Sequence, residues 1–353
     1  MNILLKYSFT NDYSEGAHPK IIKALEKTNL EQQSGYSEDS YTKEAVKLIK
    51  KRMNSENSDV HIVSGGTQGN LIVISSVLRP HEAVISAATG HINVHEAGAI
   101  EATGHKVCTI NTEDGKLTPE QIQEILDIHE DEHMVKPKLV YISNSTEIGT
   151  VYNKKELDTL HDFCKAKNLY LYMDGARLGS ALQSPKSDLK IEDLPRHTDI
   201  FYIGGTKNGA LLGEAIVINN PSLQEDFRFH IKQKGALLAK GRVLGIQFME
   251  LFKDDLFFEI GKYSNDMAFK ISSSLKDFGY EFLGEPSSNQ IFPILPNTLI
   301  SSLLEKYDFY KWTKIDEENS AVRLVTSWAT NESIADEFIK DIKELGDKNE
   351  KNG

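Results

Sequence analysis

Short apolar runs alternate with amphipathic stretches through the first two-thirds of the chain. The apolar runs cover residues 60–63, 83–86, 106–110, 138–143, 169–173, 200–204 and 215–218. Each is short and bounded by polar or turn-forming residues, which predicts buried strands. Between most of them the apolar positions recur at helical spacing, over 68–78, 94–102, 119–129 and 154–167. Two further helices are predicted upstream, over 20–30 and 41–53, each after a polar, turn-rich segment (9–19 and 34–40). This alternation implies a layered α/β domain with a seven-stranded, mostly parallel sheet.

After Pro221 the pattern changes. A long helical stretch is predicted over 222–252 and another over 257–278, followed by short strands at 280–283, 290–295, 312–315 and 322–326 and a last helix over 332–345. We therefore expect a large α/β domain over 1–250, including the N-terminal segment, and a small α+β domain over 251–353. The chain has 353 residues, which exceeds what one hydrophobic core of about 250–300 residues holds.

Composition narrows the function. The chain is 39% hydrophobic and 26% charged, with net charge −12, which argues against a nucleic-acid or anionic-membrane partner. Two cysteines, Cys108 and Cys164, are too few for a disulfide framework, and their surroundings suggest no metal site. No apolar run approaches the roughly 18 residues of a membrane span, and no signal-peptide pattern opens the chain. A cytoplasmic protein is expected.

Candidate chemistry centres on Tyr202-Ile-Gly-Gly-Thr-Lys-Asn-Gly209. Lys207 stands among small residues where a buried strand ends, so a planar group can approach its amine; a Schiff base with an aldehyde such as pyridoxal 5′-phosphate (PLP) is the chemistry this suits. Gly65-Gly66-Thr67 joins a predicted strand to a helix, and the backbone N–H groups of Gly66 and Thr67 suit a phosphate. Asp174, in Asp-Gly-Ala-Arg177, closes another apolar run, where α/β proteins bind ligands. Facing a pyridine nitrogen, Asp174 would keep it protonated. His91, in Thr-Gly-His, could stack on a flat ring and carry protons.

The set GGTQGN, TGH, DGAR and GGTKNG resembles the threonine aldolase/β-eliminating lyase family of fold-type I, transferase-like PLP enzymes, closest to its low-specificity L-threonine aldolases and phenylserine aldolases. The resemblance implies that Lys207 carries the cofactor, that Asp174 pairs with its ring nitrogen, and that Gly66, Thr67 and Thr206 serve the phosphate end. It implies that His91 stacks on the ring and helps move the β-hydroxyl proton. Arg177 and Arg323 would clamp the amino-acid carboxylate, and His133 would supply a second histidine. Where relatives have a serine-aspartate pair near the start, this chain has Asn11-Asp12, so Asn11 is the candidate for that carboxylate contact. The family builds its sites between subunits, so a homodimer or homotetramer is expected, with Tyr36 reaching toward the neighbour's site. The implied reaction is cleavage of a β-hydroxy-α-amino acid to glycine and an aldehyde. The alternatives are phenylserine cleavage, PLP-dependent β-elimination, and, more remotely, a non-catalytic ligand-binding α/β protein.

Overall fold

The computed structural model describes residues 6–352. A two-residue strand, β1 (Tyr7–Ser8), precedes helices α1 (Pro19–Thr28) and α2 (Ser40–Met53). Helix α1 begins with proline, and the side chain of Asp39 accepts the Thr42 N–H at the start of α2; both devices satisfy or remove donors that a helix start leaves unpaired.

The alternating region follows as β2 (Asp59–Val63), α3 (Gly66–Val77), β3 (Glu82–Ala87), α4 (His91–Val94), β4 (Val107–Ile110), α5 (Pro119–Ile128) and β5 (Lys136–Ser143). It continues through α6 (Lys154–Ala166), β6 (Tyr170–Asp174), α7 (Leu178–Leu182), α8 (Leu194–His197), β7 (Ile200–Gly204) and β8 (Glu214–Ile218). Strands β2 to β8 form one sheet in the order β2-β8-β7-β6-β5-β3-β4. Strand β8 runs antiparallel to both neighbours, and every other pairing is parallel. All seven expected strands are present in a mostly parallel sheet. Every residue of β3, β7 and β8 is buried, because helices cover both faces. Along β7, Phe201 and Ile203 enter one core and Ile200 and Tyr202 the other, the two-residue alternation of a strand.

Two expected helices break. The one over 94–102 is replaced by α4 and a 3₁₀ turn at Glu101–Thr103, because Ala97 and Gly98 take φ of 50° and 72°, which no α-helix accommodates. The stretch 222–252 divides into α9 (Phe227–Gln233) and α10 (Arg242–Lys253). Gly235 between them has φ 72°.

Helix α11 (Leu256–Asp277) leads to the small lobe: β9 (Gln290–Ile291), β10 (Ile294–Pro296), α12 (Asn297–Leu303), β11 (Tyr307–Asp308), β12 (Tyr310–Lys314), β13 (Asn319–Val325) and α13 (Glu332–Asn352). Strand β13 pairs antiparallel with β9, β10 and β12. The strand expected over 290–295 is thus two, separated at Pro293, and that over 280–283 is reduced to a bridge between Phe282 and Pro293.

The start of the chain differs from expectation. Strand β1 pairs with β11, Tyr7 against Tyr307, and Phe9 packs in the small-lobe core with Phe338. The N-terminal segment, expected within the large domain, begins in the small lobe and then crosses toward the sheet. That crossing brings Asp12 and Tyr13 to the site described next. Among the described residues, no helix is long and apolar enough to cross a membrane, and no cluster of three or more His, Cys, Asp or Glu side chains could hold a metal.

Candidate active site

The ends of β2, β3, β5, β6 and β7 and the start of β8 lie at one edge of the sheet, where a cavity of about 320 Å³ opens. It is lined by Gly66, Thr67, His91, Asp174, Arg177, Thr206 and Lys207, seven of the residues expected from sequence. A second cavity of about 430 Å³ adjoins it on the small-lobe side and is lined by Arg323 together with Tyr310 and Trp312. Tyr13, His91, Glu147, Arg177 and Lys207 line both.

Asp174 ends β6 and is buried. Its Oδ1 accepts the Tyr202 hydroxyl (2.5 Å) and the Ala176 N–H (2.9 Å). Its Oδ2 accepts the Tyr141 hydroxyl (2.6 Å) and the Asn70 amide (3.3 Å). Burial, reinforced by the Asp174 charge, pushes the Tyr141 and Tyr202 hydroxyls well above their ordinary pKa, so they stay as donors. The backbone here is tight: a Cβ on Gly175 would lie 1.9 Å from the Tyr202 carbonyl oxygen, so only glycine fits.

Lys207 follows β7. Among the described residues its amine has no hydrogen-bond or ion-pair partner. Burial, with the Arg177 charge added, lowers its pKa despite the opposing pull of Asp12, Asp174 and Glu214. Glu214, at the start of β8, accepts the Gly205 N–H at 3.0 Å, and burial pushes its pKa up to about 8. Burial thus favours its protonated form. The proton it holds when folded would be lost by the unfolded chain above about pH 4.5, so its contribution to stability is complete below that and drains away as pH rises through 8. We expect Glu214→Gln apoprotein to lose less melting temperature than the parent between pH 5 and 8; parallel curves in thermal melts would contradict this.

Arg177 follows β6 and turns to Asp12, donating from Nε (2.7 Å) and Nη2 (3.0 Å) in a two-pronged pair. The Asn289 amide also donates to Asp12 at 2.9 Å. Burial alone would raise the Asp12 pKa, but Arg177 and Lys207 together hold it below the ordinary carboxylate range. The fork leaves Nη1 of Arg177 to meet a ligand. Arg323, on β13, lies 5.9 Å and 5.7 Å from the rings of Tyr310 and Trp312. Its Nε is buried without a partner, and burial, then Arg177, lowers its pKa to about 10.

His91 begins α4. Its Nδ1 is 2.8 Å from Oε1 of Glu96, whose side chain is fully buried and also accepts the Asn70 amide at 2.7 Å. The second Glu96 oxygen and the Thr89 hydroxyl have no partner. Thr206 Oγ1 accepts the Gly213 N–H at 3.0 Å, which pins the loop that carries Lys207. Gly65 stands at the N-cap of α3 with open space where a Cβ would be, so the first N–H groups of that helix are accessible to an anion.

Two expected site residues lie elsewhere, and a third was expected at a neighbouring copy's site. His133 is exposed in the turn before β5, its N–H held by Asp131. It stands at the strand end away from the cavity, and the eight residues of β5 span roughly 26 Å at about 3.3 Å each. Asn11 closes a local turn, its Oδ1 accepting from Tyr13 N–H and the Ser14 hydroxyl; its neighbour Asp12 enters the site instead. Tyr36, expected to reach a neighbouring copy's site rather than this one, is 45% exposed and lines a separate surface cavity of about 440 Å³ with Phe229 and Lys232. Asp12, Glu96, Glu147, Glu214, Tyr141 and Tyr202 are site residues that sequence reasoning missed. A signal existed for Asp12, the aspartate of the Asn11-Asp12 pair, and for Tyr141 and Tyr202, each two residues before the end of its strand and so on the same face as that end.

Comparison with known proteins agrees with this geometry. The family model described as beta-eliminating lyase matches residues 11–295. A low specificity L-threonine aldolase from a Pseudomonas species is 32% identical over 95% of this chain and 96% of its own length. The structure of a Leishmania major threonine aldolase is 50% identical, with TM-score 0.95 over 96% of this chain and 99% of that one. A Thermus thermophilus aspartate aminotransferase shares the fold at TM-score 0.71 and 14% identity, over 96% and 91% of the two chains.

Proposed function

The chain belongs to the beta-eliminating lyase family, and from that premise we propose that it cleaves β-hydroxy-α-amino acids of the L-threonine or L-allo-threonine type to glycine and an aldehyde, with PLP as cofactor. One observation carries this: a buried, partnerless lysine amine shares its cavity with a carboxylate held by four donors and with an arginine that keeps one edge free.

The residues present fit PLP. The open helix start at Gly65, Gly66 and Thr67 suits its phosphate, with Thr206 alongside. Lys207, its pKa lowered by burial, offers an amine for the carbonyl carbon. Asp174, fixed by Tyr141, Tyr202, Asn70 and the Ala176 N–H, would pair with the ring nitrogen and keep it protonated. His91, oriented by Glu96, would cover one face of the ring. When bound, the cofactor supplies the electron sink that makes the bond at Cα breakable.

Arg177 and Arg323 grip the substrate α-carboxylate: Arg177 from the edge Asp12 leaves free, and Arg323 from the outer cavity that it lines. Holding the carboxylate fixes which bond at Cα stands in line for cleavage. Tyr310 and Trp312 flank the outer cavity and favour an aryl β-substituent as a second substrate type, a phenylserine. The experiment is steady-state cleavage of L-threonine, L-allo-threonine and β-phenylserine with aldehyde and glycine both measured. Equal yields of the two products support the proposal; release of ammonia and a keto acid instead would turn it to β-elimination. Arg323→Ala is expected to raise KM for L-threonine by about tenfold or more, the loss of one charge-assisted bond. An unchanged KM would remove Arg323 from the site.

We also propose a homodimer or homotetramer. Phe229 is 75% exposed and lines a surface cavity together with Tyr36 and Leu237. Large apolar side chains gathered at such a surface suit a second copy. Sedimentation velocity gives the mass directly, and a monomer at micromolar concentration would refute this part.

A further inference from the structure

We propose that Glu147 is the base that takes the substrate β-hydroxyl proton during cleavage and the acid that returns it in the reverse condensation. It rests on the aldolase reading above and deepens it.

Five residues line both cavities, and Glu147 is the one acid among them. Asp174 and Glu214 line the inner cavity only, and Asp174 already has four donors on its two oxygens. Arg177 and Arg323 stay charged and cannot accept a proton. Among histidines, His91 has Nδ1 held by Glu96 and is the residue assigned above to the ring face, with only Nε2 uncommitted. His95 lines the outer cavity only, and His133 is outside the site. An amino acid gripped at its carboxylate by Arg177, which lines both cavities, and Arg323, which lines the outer one, would span the two, and Glu147 lines both.

Its own anchoring suits the task. Glu147 follows β5 in the loop before α6. Both the His91 N–H (2.9 Å) and the Ser143 hydroxyl (2.7 Å) donate to Oε1, which leaves Oε2 to meet a ligand. Besides Glu147, the charged groups and histidines facing these cavities are Asp174, Glu214, Arg177, Lys207, Lys311, Arg323, His91 and His95, with the hydroxyls of Tyr13, Tyr202 and Tyr310. Burial raises the Glu147 pKa, with the Asp174 charge adding to it, while the bonds from Ser143 and the His91 N–H pull the other way without cancelling the rise. A carboxyl raised above its ordinary range gives up and accepts protons more nearly at working pH.

The step balances. The O–H proton passes to the Glu147 carboxylate, the C–O bond becomes C=O, and the electron pair of the Cα–Cβ bond stays on Cα. The aldehyde leaves, Cα takes up one proton, and Glu147 releases one, so no further reactant is consumed.

The test is Glu147→Gln holoenzyme, since Gln keeps an oxygen for the His91 N–H and the Ser143 hydroxyl. We expect kcat for L-threonine cleavage to fall about 100-fold or more, with KM within about threefold. Glycine has no β-hydroxyl, so its binding by spectral titration and its Cα hydrogen–deuterium exchange should stay within about threefold of the parent, which also shows the variant folded. Cleavage near the parent rate, or glycine exchange falling in step with cleavage, overturns the proposal. A second variant is Ser143→Ala, which removes a donor that stabilises ionised Glu147. It should move the acidic limb of the kcat/KM profile to higher pH, because a base with a raised pKa loses activity sooner on acidification. An unmoved limb overturns the proposal. A parent enzyme that cleaves no β-hydroxy amino acid at all removes the aldolase reading, and Glu147's role with it.

Discussion

Lys207→Ala holoenzyme preparations are expected to show no absorbance band of lysine-bound cofactor, and turnover reduced on the order of 10⁴-fold or more, as when a covalent catalytic group is deleted. The same change should not destabilise the apoprotein. Lys207 has no described hydrogen-bond or ion-pair partner, and burial lowers its pKa although Asp12, Asp174 and Glu214 oppose it; removing an amine whose desolvation those charges only partly offset relieves a net cost. Loss of function with equal or higher melting temperature is the pattern of a residue held in place for chemistry. Retained turnover, or a fall in melting temperature that parallels the lost activity, would mean that Lys207 serves structure. Absorbance spectra, steady-state rates and thermal melts on one preparation separate the two.

Asp174→Asn is expected to lower the rate about 100-fold or more, the scale seen when one pre-oriented electrostatic contact is lost, while affinity for the phosphate end of the cofactor changes little. Asparagine has almost the same shape, but its amide must face donors that now surround both carboxylate oxygens: the Tyr202 hydroxyl and Ala176 N–H on one, the Tyr141 hydroxyl and Asn70 amide on the other. Placing an NH₂ against a buried donor leaves polar hydrogens unpaired at a cost of about 1–3 kcal/mol. The variant should therefore melt earlier than the parent as well as turn over more slowly. Inorganic phosphate competition reports on the Gly66–Thr67 end alone. Equal losses in phosphate affinity and in rate would make Asp174 a structural residue.

The seven strands were legible because each carries its burial in a short apolar run, and a sheet covered on both faces demands such runs. Lys207, Asp174, His91, Gly66 and Thr67 were legible for a related reason: glycines and polar residues at strand ends stand out against the apolar runs they terminate, and parallel strands bring those ends to one edge. Local backbone geometry hid more. The helix expected over 94–102 fails at Ala97 and Gly98, whose positive φ the amphipathic spacing does not disclose. The stretch 222–252 keeps helical spacing across Gly235 although the chain turns there.

Contacts between distant segments were the least legible. Tyr7 pairs with Tyr307, and Asp12 meets Arg177; neither register leaves a local pattern. Glu147 lies in a plain polar loop, Asn-Ser-Thr-Glu-Ile-Gly, whose place at the cavity depends on where β5 ends. His133 shows the converse, since a position carried over from relatives failed once β5 was seen to run away from it toward the site.

The most direct measurement is an absorbance spectrum of the purified protein with PLP, before and after L-threonine, with acetaldehyde assayed in the same cuvette. A visible band that Lys207→Ala lacks, changing on addition of L-threonine as acetaldehyde appears, is the predicted result. A protein that develops no such band with excess PLP, or that shows the band yet releases no aldehyde from L-threonine, L-allo-threonine or β-phenylserine, would contradict the proposed aldolase.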